Sequence, residues 1–302
     1  MMRLRIATII CLAVLFLSGC TVAPEQPEDE LSDILGLSLD ESKFPRVDGS
    51  TATIPLGEAL AALMMNKDRA ECKKYADFNG TNQAYINLAN NEADILLVYE
   101  IPGDAAEITA NRPFEEASIG RDGLVFIVNA QNPVDNLTSQ QIVDIYSGTI
   151  TNWREVGGDN AAIAAFQRNE TSGSQTLMKK LVMNKTPLPP ARENFIAWGM
   201  SEIITSIADY DNGRFAIGYN VYYYVAEMEK DPNIKVLSID GVYPDNNTIA
   251  SGKYPFVNDF YAVIRENALE SSPERLLFCW LQTGEGQMLI DSQGYVSLKN
   301  AR

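Results

Sequence analysis

Three short stretches of this sequence carry the residue types that hold an anion without covalent chemistry. They are Gly49-Ser50-Thr51-Ala52-Thr53, Gly80-Thr81-Asn82 and Arg168-Asn169-Glu170-Thr171-Ser172-Gly173-Ser174. Each places glycine and small hydroxyl residues just ahead of an apolar helical pattern. There the first backbone N–H groups lack partners and the helix dipole is positive. One such stretch is accounted for by ordinary capping. Three in one chain, one with an arginine, make an anion cradle. Dipoles, hydroxyl donors and one cation act at short range, so the cradle is compatible with an acidic chain.

Other chemistries are short of parts. The 302 residues contain no histidine, which removes Ser-His-Asp triads, Cys-His dyads and His-ligated metals. The four cysteines, Cys11, Cys20, Cys72 and Cys279, show no C-x-x-C spacing, so no metal and no cofactor is expected. The pattern G-x-x-x-x-G-K-[ST] is absent, which disfavours an NTPase. Ser172 or Ser174 as a nucleophile with Lys179 or Lys180 as base lacks the rest of a Ser-Lys site. Lys plus Arg is 24 against 40 Asp plus Glu, a net charge of -16, and such a surface repels nucleic-acid phosphates. An enzyme is therefore not expected.

The elements that must position the three loops alternate. Phe44 to Val47 reads as extended, and Pro55 opens a helix through about Asn66. Tyr75 to Phe78 reads as extended, and Gly80-Thr81-Asn82 caps a helix through about Asn91. Residues 94–99 (DILLVY) form a buried-strand run. This order is the signature of a parallel α/β sheet. A second unit begins near Gly120, with strands at 124–129, 163–167, 216–219 and 235–239. Its helices are placed at 139–146 behind Thr138, from Ser172 to about Met183, and at about 201–210. Residues 260–265 and a helical tail at 273–290 return toward the first unit. Trp153, Trp198, Trp280 and Tyr222-Tyr223-Tyr224 read as packing residues.

The first residues read as an address. Arg3 and Arg5 precede an apolar run from Ile6 to Leu17, too short for a transmembrane helix of about 20 apolar residues. The run ends in Leu17-Ser18-Gly19-Cys20, which resembles a bacterial lipobox. Residues 1–19 are expected to be a lipoprotein signal peptide, with Cys20 lipidated. Residues 20–43, with Pro24, Pro27 and Glu28-Asp29-Glu30, read as a flexible tether. An exported chain permits a Cys72–Cys279 disulfide, although the spacing matches no disulfide-dense scaffold.

A longer pattern covers the body. Asn132-Pro133, Leu137-Thr138, the run Ile145-Tyr146-Ser147-Gly148-Thr149-Ile150-Thr151-Asn152-Trp153 and Val156-Gly157-Gly158 follow one another. With Arg168 and Ser172-Gly173-Ser174, the opening Asp48-Gly49-Ser50-Thr51 and the ending Gly284-Glu285-Gly286-Gln287, they resemble the phosphate-binding proteins of bacterial phosphate ABC importers. The resemblance spans about residues 44–302. It implies an α/β, two-lobe periplasmic-binding-protein-like (type II) fold with hinge strands. Lobe one is expected over 44–120 plus 251–302, and lobe two over 121–250.

The resemblance implies a monomeric solute-binding protein, lipid-anchored on the extracytoplasmic face of the cell membrane. It would hand inorganic phosphate to ABC transporter permease subunits. The implied ligand contacts are Ser50, Thr51, Thr53, Thr81, Arg168, Ser172, Gly173 and Ser174. Many family members end the strand equivalent to 94–99 with Ser-Asp, and that Asp accepts the proton of bound phosphate. Here Val98-Tyr99 stands there, so Glu100 is the candidate acceptor. A carboxylate acceptor excludes sulfate, because two acceptors facing each other repel. Another oxyanion (sulfate or molybdate), or a surface or signalling module with a degenerate site, are the alternatives.

Overall fold

The computed structural model describes residues 38–209 and 214–298. The expected signal peptide and Cys20 lie outside the described residues. So does most of the tether. Its last residues are part of the body: Leu39 is buried and its N–H donates to the Met64 carbonyl at 2.8 Å.

In chain order come β1 (Val47–Gly49), α1 (Ile54–Met65), α2 (Arg69–Cys72), α3 (Thr81–Ala89), β2 (Ile95–Val98), α4 (Gly103–Ile108) and β3 (Phe114–Asn129). Then come β4 (Asn136–Leu137), α5 (Ser139–Tyr146), β5 (Ala164–Ala165), β6 (Gln167–Arg168), α6 (Gly173–Leu177), β7 (Ile196–Ala197), α7 (Met200–Ala208) and β8 (Ala216–Val221). The last are β9 (Ile234–Val236), β10 (Ser238–Ile239), α8 (Asn246–Ala250), β11 (Val257–Arg265), α9 (Pro273–Leu281), α10 (Gly284–Ser292) and β12 (Val296–Ser297).

Local chemistry explains the boundaries. Pro55 sits in the first turn of α1, where its missing N–H is not needed, and Asn66 ends that helix in the left-handed region at φ 49°. Thr138 and Gln141 form a reciprocal capping box on α5. On β2 all four side chains are buried. Ile95 and Leu97 belong to the core that includes Leu56, Leu60 and Met64 of α1. Leu96 and Val98 pack with Ala84, Tyr85 and Leu88 of α3 and Ala105 of α4. Helices on both faces are what make an unbroken apolar run a strand rather than an alternating one.

The main sheet runs β1-β2-β11-β3-β8-β5, with β12 and β9 also pairing β3. Pairing is parallel at the two ends (β1 with β2, β5 with β8) and antiparallel in the middle. The expected parallel sheet is thus corrected to a mixed one, because β11 returns from the far end of the chain between β2 and β3. The long strand β3 changes partner at its centre. It pairs β11 from Phe114 to Gly123 and β8 from Leu124 to Val128. Two parts of the sheet therefore join inside β3, and the chain comes back to that joint just before β11, where the Leu124 N–H donates to Phe256 O at 2.8 Å.

Two other expectations are corrected. Residues 75–78 form no strand; Lys73–Tyr75 is a 3-10 turn and the chain beyond it is irregular. The tail is two helices, α9 and α10, broken at Gln282-Thr283. Cys72 is buried, Cys279 is exposed, and both are free thiols.

Candidate anion-binding site

The first lobe offers two loops to the cleft. Beyond β1, Ser50 precedes a 3-10 turn, Thr51–Thr53, that runs into α1. The Ser50 hydroxyl lies 2.6 Å from the Thr81 hydroxyl, so the two loops touch. Gly80 starts α3 at φ +82°, a backbone angle that suits only glycine. Behind them Asp48 is 4% exposed and accepts four bonds. They come from the N–H of Gly49 and Asn79 at 2.7 and 2.8 Å and from the amides of Asn79 and Asn87 at 3.0 and 2.7 Å. One buried carboxylate thereby fixes the loop that carries Gly80 and Thr81. Thr53 is fully buried and donates to Leu97 O and Ser50 O at 2.6 and 2.9 Å. It braces the first loop and does not line the cleft, which corrects its expected role as a ligand contact.

The second lobe brings Arg168 from β6, the N-terminus of α6, and the N-terminus of α7. Ser172 caps α6, accepting from the Gln175 N–H at 3.2 Å. Its hydroxyl is 3.1 Å from that of Ser174. Arg168 is 5% exposed. Its guanidinium donates to Ala197 O at 3.2 Å, Trp198 O at 3.3 Å and the Ser174 hydroxyl at 3.4 Å. None of these partners carries a charge. Burial pushes the Arg168 pKa below the ordinary arginine value and outweighs Tyr219, Tyr224 and Glu202, whose charges act to raise it. Glu170 pairs with Lys179, and Asp122 is occupied elsewhere, so neither neutralises it. A buried cation facing a cleft, with no carboxylate bonded to it among the described residues, is a site for an anion.

The cleft has a volume of about 410 Å³. Ser50, Thr51, Thr81, Arg168, Ser172, Gly173 and Ser174 line it together, as the sequence suggests. Phe78, Asn79, Tyr99, Trp198, Gly199 and Met200 line it too, and were not foreseen. Trp198, read from sequence as a packing residue, is 70% exposed at the cleft. The signal that could have found it is the Gly199-x-x-Glu202 start of a helix, where Glu202 accepts from the N–H groups of Trp198 and Gly199 at 2.7 and 3.1 Å. Trp153, Trp280, Tyr223 and Tyr224 are buried as packing residues, and Tyr223 stacks on Tyr295 with ring centroids 3.5 Å apart.

Glu100 is not among the residues that line this cleft. It donates no acceptor there: its carboxylate pairs with Lys180 at 2.6 Å, beside a separate cavity walled by Arg121, Asp259 and Tyr261. That corrects the expectation that it receives a ligand proton. The residue one place earlier, Tyr99, is the one that faces the cleft. Its hydroxyl donates to the buried Asp122 at 2.7 Å, and Asp122 also accepts from the N–H groups of Gly123 and Tyr223 at 2.7 and 3.2 Å. Burial raises the Asp122 pKa to about 6 although these bonds favour its charged form.

Chemically the cleft is equipped to hold an anion. Among the residues lining it there is no Asp, Glu, Lys or His. Lys179 and Lys180 are each tied to a glutamate, so no amine stands ready to activate Ser172 or Ser174. Hydroxyls, backbone amides at helix starts and one buried guanidinium converge from both lobes, an arrangement of donors around a negative charge.

Comparison with known proteins agrees with this geometry. The Phosphate-binding protein PstS of Borreliella burgdorferi is 25% identical over 270 residues, covering 86% of this chain and 92% of that protein. A crystal structure of a putative phosphate ABC transporter substrate-binding protein with bound phosphate, from Clostridium perfringens, superimposes with a TM-score of 0.65. It is 26% identical, over 83% of this chain and 98% of that one. An ABC-type phosphate transport receptor from Vibrio cholerae shares the fold, with a TM-score of 0.60 at 22% identity over 83% of this chain and 98% of that one. The profile of the PBP superfamily domain matches residues 46–277, and the chain belongs to that superfamily of two-lobe α/β binding proteins.

Proposed function

We propose that this protein is a solute-binding protein that captures inorganic phosphate between its lobes and delivers it to the permease of an ABC importer. The observation that carries the reading is Arg168, buried without a carboxylate partner where the N-termini of α3, α6 and α7 and the turn after Ser50 converge. Several similar proteins bear names for phosphate binding and transport, which supports phosphate as the anion. The action is capture, closure and release, without covalent chemistry. Closure would turn on the joint inside β3 and just before β11, where few backbone angles need to change.

The reading places the protein as a monomer on the extracytoplasmic face of the cell membrane, held by a lipid on Cys20. Support for the anchor is the sequence Leu17-Ser18-Gly19-Cys20 behind its apolar run. Cys20→Ala is expected to leave an unprocessed precursor or release the protein from membranes. Unchanged processing and fractionation would sink the anchor.

One observation favours a second reading, capture of sulfate or another fully ionised oxyanion: no carboxylate lines the cleft to accept a ligand proton. The test is the anion released when protein purified without added phosphate is unfolded and its filtrate is run on ion chromatography. Phosphate at one equivalent supports the first reading and sulfate the second. A filtrate free of both, from a protein that also shows no heat with either, contradicts the pair.

A further inference from the structure

We infer that the cleft also takes a phosphomonoester, its phosphoryl group on the Arg168 cradle and its organic substituent against Trp198. The inference rests on the oxyanion reading above and extends the class of ligand.

The first ground is space. The lobes already touch at the cleft floor, where Gly173 sits against Thr81 and Tyr99. The cleft still measures about 410 Å³. A tetrahedral anion on Arg168 leaves most of that volume to solvent. It falls within the range of about 300–1,000 Å³ that suits small organic ligands.

The second ground is the wall. Of the three tryptophans, Trp153 and Trp280 are buried and Trp198 is 70% exposed. Its backbone is nonetheless fixed at both ends. The N–H donates to Glu202 at 2.7 Å, and the carbonyl accepts from Arg168 and Asn169 at 3.3 and 3.1 Å. The residue that carries the indole is thus fixed through its backbone beside the guanidinium. Phe78 and Met200 line the same cleft. An exposed aromatic side chain beside an anion site suits a ligand with an apolar part, since covering it removes apolar area from water. Asn79 and Asn169, also in the lining, can bond hydroxyl groups on the substituent.

The third ground is the proton count. Inorganic phosphate near neutral pH keeps a proton on one oxygen as a dianion, and that O–H needs an acceptor. A monoester dianion has three bare terminal oxygens, all acceptors. The cradle supplies Arg168, backbone N–H groups and hydroxyls, and no carboxylate. Its strong groups are donors, which matches the ester.

The experiment is calorimetric titration of the wild-type protein and of Trp198→Ala with inorganic phosphate, glycerol 3-phosphate and phenyl phosphate. Trp198→Phe serves as the conservative variant, and melting curves check folding. Phenyl phosphate is expected to bind within tenfold of inorganic phosphate. Trp198→Ala should weaken phenyl phosphate at least tenfold more than it weakens inorganic phosphate, and Trp198→Phe should restore most of the difference. Binding of inorganic phosphate with no binding of either ester overturns this inference alone, as does an equal loss for ester and free anion in Trp198→Ala. Failure of all three ligands overturns the oxyanion reading with it.

Discussion

Gly173→Ala separates binding from folding in a way the geometry makes quantitative. Gly173 opens α6 in the second lobe and faces the first lobe across the cleft floor. A Cβ on it would lie 2.9 Å from the Thr81 hydroxyl oxygen and 3.6 Å from the Cβ atoms of Thr81 and Tyr99. The hydroxyl cannot simply swing aside, since it is held 2.6 Å from the Ser50 hydroxyl. The lobes must therefore separate by a few tenths of an ångström, or the Ser50–Thr81 contact must break. Overpacking of this kind costs about 1–3 kcal/mol. Set against closure, that is a loss of affinity of roughly 5- to 150-fold. Folding should be spared, because each lobe keeps its core and alanine favours a helix over glycine by up to about 1 kcal/mol. Titration calorimetry with phosphate, beside ligand-free melting curves, reads both quantities. Affinity within twofold of wild type would refute the claim that the lobes close at this contact. A fall in melting temperature large enough to explain the affinity loss would make Gly173 a folding residue instead.

Two further outcomes follow from groups just outside the cleft. Asp122 is buried with its pKa raised to about 6 from 3.8, so the folded protein binds the proton more tightly than the unfolded chain. Its contribution is fully present below about pH 4 and is lost as pH rises through about 6, a change on the order of 3 kcal/mol. Wild type should therefore lose stability relative to Asp122→Asn between pH 4 and 7 in urea titrations, and parallel stability curves would show that Asp122 is not the group. Glu100→Gln removes a partly exposed pair with Lys180, for which a cost below about 1 kcal/mol is expected. The phosphate-to-sulfate affinity ratio should stay as in wild type, and a relaxed ratio would return Glu100 to the cleft.

What could be read from sequence was whatever is local. The turn at Pro55, the Thr138 cap and the glycine of Gly80-Thr81-Asn82 each state their structure within four residues. So do the three loops that line the cleft, which is why most of the cradle was legible. What failed needed distant partners. The first half of β3, with Glu115, Glu116, Arg121 and Asp122, has no strand-like apolar run, and it is a strand because β11 pairs with it. Residues 75–78 look like a strand, but among the described residues no strand pairs with them. Instead Asp48 takes the Asn79 N–H just beyond. Tyr99 could be seen in an unexpected place, yet its partner Asp122 lies 23 residues away. Glu100 follows β2 directly, which in sequence points it at the cleft, and only the three-dimensional structure shows Lys180 holding it. Trp198 reads as packing because an inorganic anion needs no aromatic platform, and its exposure at the cleft is visible only in three dimensions.

The central claim is that Arg168 holds the ligand's charge rather than a loop. The three protein bonds of its guanidinium all go to neutral oxygens at 3.2–3.4 Å, so no carboxylate among the described residues is bonded to it. A charge-assisted bond of this kind is worth about 1.5–3 kcal/mol, more when its loss strands ligand oxygens. The direct measurement is calorimetric titration of folded Arg168→Ala with phosphate, with its melting curve alongside. A loss of at least about tenfold in affinity, at roughly 1.4 kcal/mol per decade, is the expected result. A variant that melts lower than wild type yet binds phosphate within twofold would contradict the account.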